Sequence, residues 1–120
     1  RRCATGGEAM WGATIGDAAA IDRSGFGVTA TGAEVYVGGR ALTVCSLGEL
    51  LRAAGVVRGM EMDINPAWVS GAYYTTPPGG PTLAHRLYPG QRVAADHYFL
   101  PSSRDWNGSY ARRGAPTSGA

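Results

Sequence analysis

Apolar and polar positions divide this chain into recognisable elements. Gly27-Val28-Thr29-Ala30 and Glu34-Val35-Tyr36-Val37 flank Thr31-Gly32, and two β-rich runs around a glycine-bearing turn predict a hairpin. Gly38-Gly39 reads as the next turn, and Ala41-Leu42-Thr43-Val44 as a further short strand or extended lead into a helix. Ser46 with Glu49 three later is the pattern of a capping box. Leu47, Leu50, Leu51 and Ala54 then fall on one helical stripe, and Gly55 supplies the stop. The expectation is a helix at about 46–54 packed against a sheet.

Residues 56–64 read as the central strand. In Met60-Glu61-Met62-Asp63-Ile64, strict alternation puts Glu61 and Asp63 on one face and Met60, Met62 and Ile64 on the other, the core face. The strand runs into the polar, proline-broken turn Asn65-Pro66-Ala67-Trp68-Val69-Ser70, and strands that end this way often deliver acidic groups to a site. Beyond it, Val69 to Thr75 reads as a strand with Tyr73 and Tyr74 on opposite faces. Thr76-Pro77-Pro78-Gly79-Gly80-Pro81 is a loop that strand pairing cannot cross. Leu83 to Leu87 is a short strand, Pro89-Gly90 a turn, and Val93 to Leu100 one more strand or a short helix. Residues 1–10 read as a frayed or incomplete element, and residues 11–20 as loop or short strand. The Gly, Ala, Pro and Ser tail over 112–120 reads as disordered. The fold class expected is α+β: a mixed or antiparallel sheet with one packed helix.

Composition narrows the function classes. With 120 residues and 44% hydrophobic content, the chain can bury one modest core, so a single folded domain is expected. No apolar run approaches the ~20 residues that a membrane-spanning helix needs. A net charge of +2 from scattered arginines, with no lysine, offers no clustered basic face for nucleic acid. Cys3 and Cys45 permit one disulfide without demanding it. Because Cys45 ends an apolar run, a buried free thiol is the reading favoured here. The chain opens Arg1-Arg2-Cys3 without a methionine or a recognisable export signal, which reads as a fragment or mature segment.

The order of hairpin, capped helix, acidic strand and turn resembles the phosphodiester glycosidase family, from about Trp11 to Tyr110. Arg23-Ser24-Gly25-Phe26-Gly27-Val28-Thr29 looks like that family's Arg-Thr-Ala-x-Gly segment. Ser46-Leu47-Gly48-Glu49-Leu50-Leu51 with Gly55-Val56 looks like its helix and glycine turn. Met62-Asp63-Ile64-Asn65 sits where most members carry Leu-Asp-Gly-Gly. Ile64-Asn65-Pro66 replaces those glycines, so the backbone turn must differ. That form and the run Ser102-Ser103-Arg104-Asp105 resemble an actinobacterial branch. Family domains carry more strands before the Arg-Ser-Gly segment, so residues 1–111 read as the C-terminal part of such a domain.

The resemblance implies a hydrolase that cleaves a sugar 1-phosphodiester, of the N-acetylglucosamine-1-phosphodiester kind, in a secreted or cell-envelope protein acting on a sugar phosphate or envelope glycan. It implies Asp63 as the essential carboxylate and Arg23 as the phosphate ligand, since a guanidinium grips phosphate with two parallel hydrogen bonds. Glu61, on Asp63's expected face, is the second catalytic candidate. Ser24, Gly27, Asn65, Ser70 and Arg104 are the further substrate-binding candidates, with Gly25 and Gly27 leaving room for close backbone approach. Trp68 would stack on a sugar ring or fill a core gap. Asp63 would serve equally to hold a divalent metal or to orient loops, and the residues leave these roles open; no cofactor is implied with certainty. The plain alternatives are a surface Arg23 paired with Asp22 or solvent, a strand-end Asp63, a solvated Glu61 and an Arg104–Asp105 ion pair. His85 and His97 lack metal-type spacing. A non-catalytic glycan- or phosphate-binding module and an inactive truncated remnant stand as rivals to the enzyme.

Overall fold

A computed structural model describes residues 20–110. The expectations for residues 1–19, including Cys3, and for the tail at 112–120 lie outside the described residues. Inside them the chain runs β1 (Ile21–Thr29), β2 (Glu34–Leu42), α1 (Val44–Ala53), β3 (Val56–Glu61), β4 (Ala72–Thr75) and β5 (Leu83–Arg86), then a 3₁₀ turn at His97–Phe99. One helix packed against antiparallel sheets makes this an α+β fold.

The predicted hairpin forms, and its strands are longer than the pattern suggested. β1 and β2 pair from Val28 opposite Glu34 back to Ile21 opposite Leu42. Gly32, at φ 85°, makes the turn, and Ala33 O accepts from Thr29 N at 2.9 Å. Gly38 and Gly39 are not a turn. They lie inside β2 opposite Ser24 and Arg23. The physical reason is close packing: a side chain at Gly38 would meet Val69 Cγ1 at 3.3 Å and Tyr88 Cε1 at 3.5 Å.

α1 begins at Val44, and its cap is Thr43 rather than Ser46. Ser46 N donates to Thr43 Oγ1 at 3.0 Å while Thr43 N donates to Ser46 Oγ at 2.8 Å. The capping box is thus three residues earlier than expected, with Ser46 rather than Glu49 reaching back to the cap. Thr43 can stay extended, at ψ 165°, whereas Ser46 is already helical. The stripe is as expected at Leu47 and Leu51, which are buried, while Leu50 stays 40% exposed. Gly55 ends the helix at φ 83°.

β3 pairs antiparallel with β1, giving the order β2-β1-β3. The central strand among the described residues is therefore β1, and β3 flanks it. Both faces of β1 are covered. On one, Leu51 and Leu47 of α1 fill the space beside Gly25, and the Arg58 carbonyl lies 2.6 Å from where a Gly27 side chain would begin. On the other lie Val69, Leu87 and Tyr88, and Tyr36 closes against Gly71. β4 and β5 form a separate two-stranded hairpin, paired from Ala72 opposite Arg86 to Thr75 opposite Leu83. Buried Gln91 ties its base down, accepting from Gly71 N at 3.0 Å and donating to Val93 O at 2.9 Å. Within 93–100 the chain forms no strand, and its regular structure is the three-residue 3₁₀ turn His97–Phe99.

Cys45 is disulfide-bonded, which corrects the expectation of a buried free thiol. Among the described residues no helix is long and apolar enough to cross a membrane.

Candidate functional site

The end of β3 decides what the acidic strand delivers. Met62 N donates to Ser24 O at 2.8 Å, and Ser24 N donates to Asp63 O at 2.9 Å. Two residues, Met62 and Asp63, therefore face Ser24 alone, which is the hydrogen-bond pattern of a β-bulge. A bulge inserts one residue and breaks strict alternation. Glu61 and Asp63, expected on one face, are separated by it. The pairing of Glu61 with Gly25 puts Glu61 on the α1 side of the sheet. Asp63 instead meets Arg104 over Trp68, in the turn whose Val69 packs at Gly38 on the Ser24 face of the sheet.

On the α1 side, Arg23 and Glu61 form a buried ion pair. Arg23 Nη1 donates to Glu61 Oε2 at 3.1 Å and Arg23 Nε donates to Leu42 O at 2.8 Å, with the two side chains 2% and 15% exposed. From the middle strand, Arg23 thus fastens both flanking strands. The surface Arg23–Asp22 alternative does not occur, nor is Glu61 a solvated edge residue. Met60, expected in the core, is instead 58% exposed. A buried guanidinium needs a carboxylate beside it, and that need overrides the apolar alternation. The room at Gly25 and Gly27 is taken by α1 and β3 themselves.

The opposite side holds the open cluster. Asp63 and Arg104 face each other at 3.7 Å between Oδ1 and Nη2, each side chain 52% exposed. The Arg104 guanidinium carbon lies 3.8 Å above the centre of the Trp68 ring, a cation–π contact. Arg104 therefore pairs with Asp63, not with its neighbour Asp105: Trp68 and Asp63 offer it both a face and a charge. Trp68 is 44% exposed, a surface platform and not a core filler. Beside it, Ser70 Oγ and Tyr98 Oη share a hydrogen bond of 2.8 Å, and Tyr36 Oη donates to Ser70 O at 3.0 Å. Ser24 Oγ donates to Asp63 O at 2.9 Å, so Ser24 anchors the backbone of the carboxylate residue. Burial pushes the Tyr36 hydroxyl above its usual range; its hydrogen bond with Ser24 opposes this and the Asp63 charge adds to it.

Asn65 builds the turn. Its side-chain oxygen accepts from Ala67 N at 2.8 Å, and its carbonyl accepts from Trp68 N and Val69 N, each at 2.8 Å. That turn presents Trp68 outward, buries Val69 and leaves Ser70 beside Tyr36. Of the candidates read from sequence, the structure gathers Asp63, Ser24, Ser70 and Arg104 on one side, with Asn65 shaping the loop. It sets Arg23, Glu61 and Gly27 on the other. Tyr36 and Tyr98 were missed. Tyr36 carried only a strand's alternation, and Tyr98 carried no local signal because it meets Ser70 across 28 residues.

His85 bonds Thr75 Oγ1 through Nε2 at 2.7 Å and stacks on Tyr73 at 4.7 Å, away from this cluster. Among the described residues no group of three or more His, Cys, Asp or Glu side chains gathers as a metal site would require. Comparison with family models, with curated proteins and with solved structures found no match to this chain.

Proposed function

We propose that the Asp63 side of the sheet is the substrate site of a phosphodiester glycosidase-type hydrolase, with Asp63 as the essential carboxylate and Arg104 as the group that meets phosphate. The observation that carries this reading is the mutual contact of a half-exposed carboxylate, guanidinium and indole, flanked by paired hydroxyls. Trp68 supplies a flat apolar face for a sugar ring. Ser70 and Tyr98 supply hydroxyls that can exchange their mutual bond for bonds to sugar hydroxyls. The C1–O bond breaks with its electron pair leaving on the phosphate, and Asp63 stabilises or attacks the oxocarbenium-like sugar carbon. Water then adds to that carbon, displacing Asp63 where it has attacked, and gives up its proton to the carboxylate or the departing phosphate. Phosphate is a weak base and leaves with little protonation, so one carboxylate suffices in this scheme.

The reading moves the phosphate contact from Arg23 to Arg104. Arg23 is buried and bonded to Glu61, and its role here is to lock the strand end on which Asp63 is carried. A secreted or envelope location fits the disulfide at Cys45, because such bonds persist in oxidising compartments.

A second reading, a non-catalytic glycan- or phosphate-binding module, is favoured by one observation: Glu61 is on the other side, so the cluster lacks the second carboxylate of an ordinary glycosidase. Turnover of an N-acetylglucosamine 1-phosphodiester by the full-length protein separates the two. The enzyme reading expects turnover that is lost in Asp63→Asn and weakened chiefly in KM in Arg104→Ala. Wild-type turnover by Asp63→Asn would overturn it, and binding without turnover would establish the module.

A further inference from the structure

The 3₁₀ turn His97–Phe99 faces two ways. Tyr98 enters the Asp63 cluster through its bond to Ser70. The next residue, Phe99, meets Tyr74 of β4 with ring centres 5.4 Å apart and planes tilted by 33°. Phe99 also lines a shallow open concavity of about 470 Å³, together with Ala84 and Arg86 of β5, Thr82, and Ala94 to Asp96. The β4–β5 pairing sets Tyr74, Ala84 and Arg86 on one face of the hairpin, the face that looks into this concavity. Phe99 and Tyr74 remain 53% and 43% exposed.

We infer that this concavity is a second sugar subsite, so that the protein binds an extended glycan running from Trp68, past Ser70 and Tyr98, to Phe99 and Arg86. The inference rests on the sugar reading of the Asp63 cluster and adds chain length as a determinant. Its argument is the lining. The half-exposed ring of Phe99, backed by Tyr74, gives an apolar face for the C–H side of a pyranose. Arg86, Asp96 and Thr82 in the lining give donors and acceptors for ring hydroxyls. A shallow, open, mixed surface suits a polymer laid across it better than a small apolar ligand, which needs enclosure. One turn joins the two places, with Tyr98 belonging to the first and Phe99 to the second.

Titration calorimetry of the full-length protein with chitobiose and with chitohexaose tests it. The wild type is expected to bind the hexamer several-fold more tightly than the dimer. Phe99→Ala is expected to lower hexamer affinity about threefold to tenfold, the range for one lost aromatic contact. Dimer affinity and turnover of the 1-phosphodiester stay unchanged. If Phe99→Ala does not fold, Arg86→Ala, an exposed position, reads the same subsite. Equal wild-type affinities, or a hexamer affinity indifferent to Phe99 and Arg86, would overturn the inference while the turnover assay leaves the Asp63 reading standing. Length-dependent binding without turnover would keep the inference and sink the enzyme reading. Failure to bind either oligosaccharide or to turn over the phosphodiester would overturn both.

Discussion

Glu61 and Asp63 are two residues apart in the chain and occupy opposite sides of the sheet under opposite constraints. Glu61 is enclosed against α1 and bonded to a buried arginine; Asp63 stands half in water beside an arginine that is equally exposed. Both are carboxylate–guanidinium pairs, and burial gives them different work. The enclosed pair is costly to break, because each charge has given up its water and depends on its partner. The open pair is weak in stability terms, because solvent and salt compete for both charges. For the same reason it is available: a ligand can displace Arg104 from Asp63 at little cost, whereas nothing enters between Arg23 and Glu61 without opening the sheet.

The largest effect that tests this contrast is expected at the enclosed pair. Glu61→Ala should cost about 3–5 kcal/mol in denaturant unfolding, the range for removing one member of a buried pair. The double replacement Arg23→Met with Glu61→Leu should recover part of that, since the bond from Arg23 Nε to Leu42 O is lost as well, and it should retain phosphodiester turnover. Recovered stability with abolished turnover would return Arg23 to the phosphate and break the contrast. Next comes Gly27→Ala on the same side. The new methyl would approach the Arg58 carbonyl at 2.6 Å, where backbone must move, and about 1–3 kcal/mol is expected. Gly25→Ala should cost less, since its first obstacle is the flexible end of Leu51 at 2.9 Å. Equal costs at the two glycines would mean that β3 is not held as tightly as the Arg23 bonds imply.

What the sequence made legible follows physical range. The hairpin was readable because its turn and its β-branched residues are neighbours. The helix was readable from its leucine stripe, although its start was displaced because Thr43 and Ser46 form the same reciprocal bonds as the more familiar serine and glutamate. The acidic strand was found in place, but its faces were reversed. Period-two reasoning assumes an unbroken ladder and one wet face; a bulge at Met62-Asp63 violates the first condition, and packing on both sides of β1 violates the second. Gly38-Gly39 looked like a turn for the same reason, since glycine placed for close packing is indistinguishable locally from glycine placed for bending. Most of the site was readable as residue types, and its grouping was not. Tyr36, Ser70, Tyr98 and Arg104 come together only through the tertiary fold.

Alkaline titration probes the open side at a smaller scale. The Tyr88 hydroxyl is pushed up to about 12 from 10.0 by burial first, then by the Asp22 charge and its hydrogen bond to Asp22. Tyr36 and Tyr74 are raised in the same direction, burial being the leading cause in each. A tyrosine that holds its proton more tightly when folded stabilises the fold fully below pH 10, the ordinary tyrosine range, and loses that contribution as pH rises through the folded value. The contribution of these tyrosines to unfolding free energy should therefore be constant up to about pH 10 and should decline between about 10 and 12. Tyr88→Phe should flatten part of the decline. An unchanged slope would show that Tyr88 is not enclosed with Asp22 as described.

The smallest expected effect is the sharpest test. Asp63→Asn should change unfolding free energy by no more than about 0.5–1 kcal/mol, because an exposed ion pair at this spacing contributes little. Arg104→Ala should behave alike, with some further loss of contact to Trp68. The structural work at residue 63 is done by its carbonyl, which accepts from both the backbone and the hydroxyl of Ser24 at 2.9 Å and is untouched by either change. A cost for Asp63→Asn approaching that of Glu61→Ala would make Asp63 a strand-end fastener rather than a group held ready for a ligand. A negligible cost together with lost turnover or lost glycan binding would mean the side chain is kept for chemistry, since the fold has no use for it.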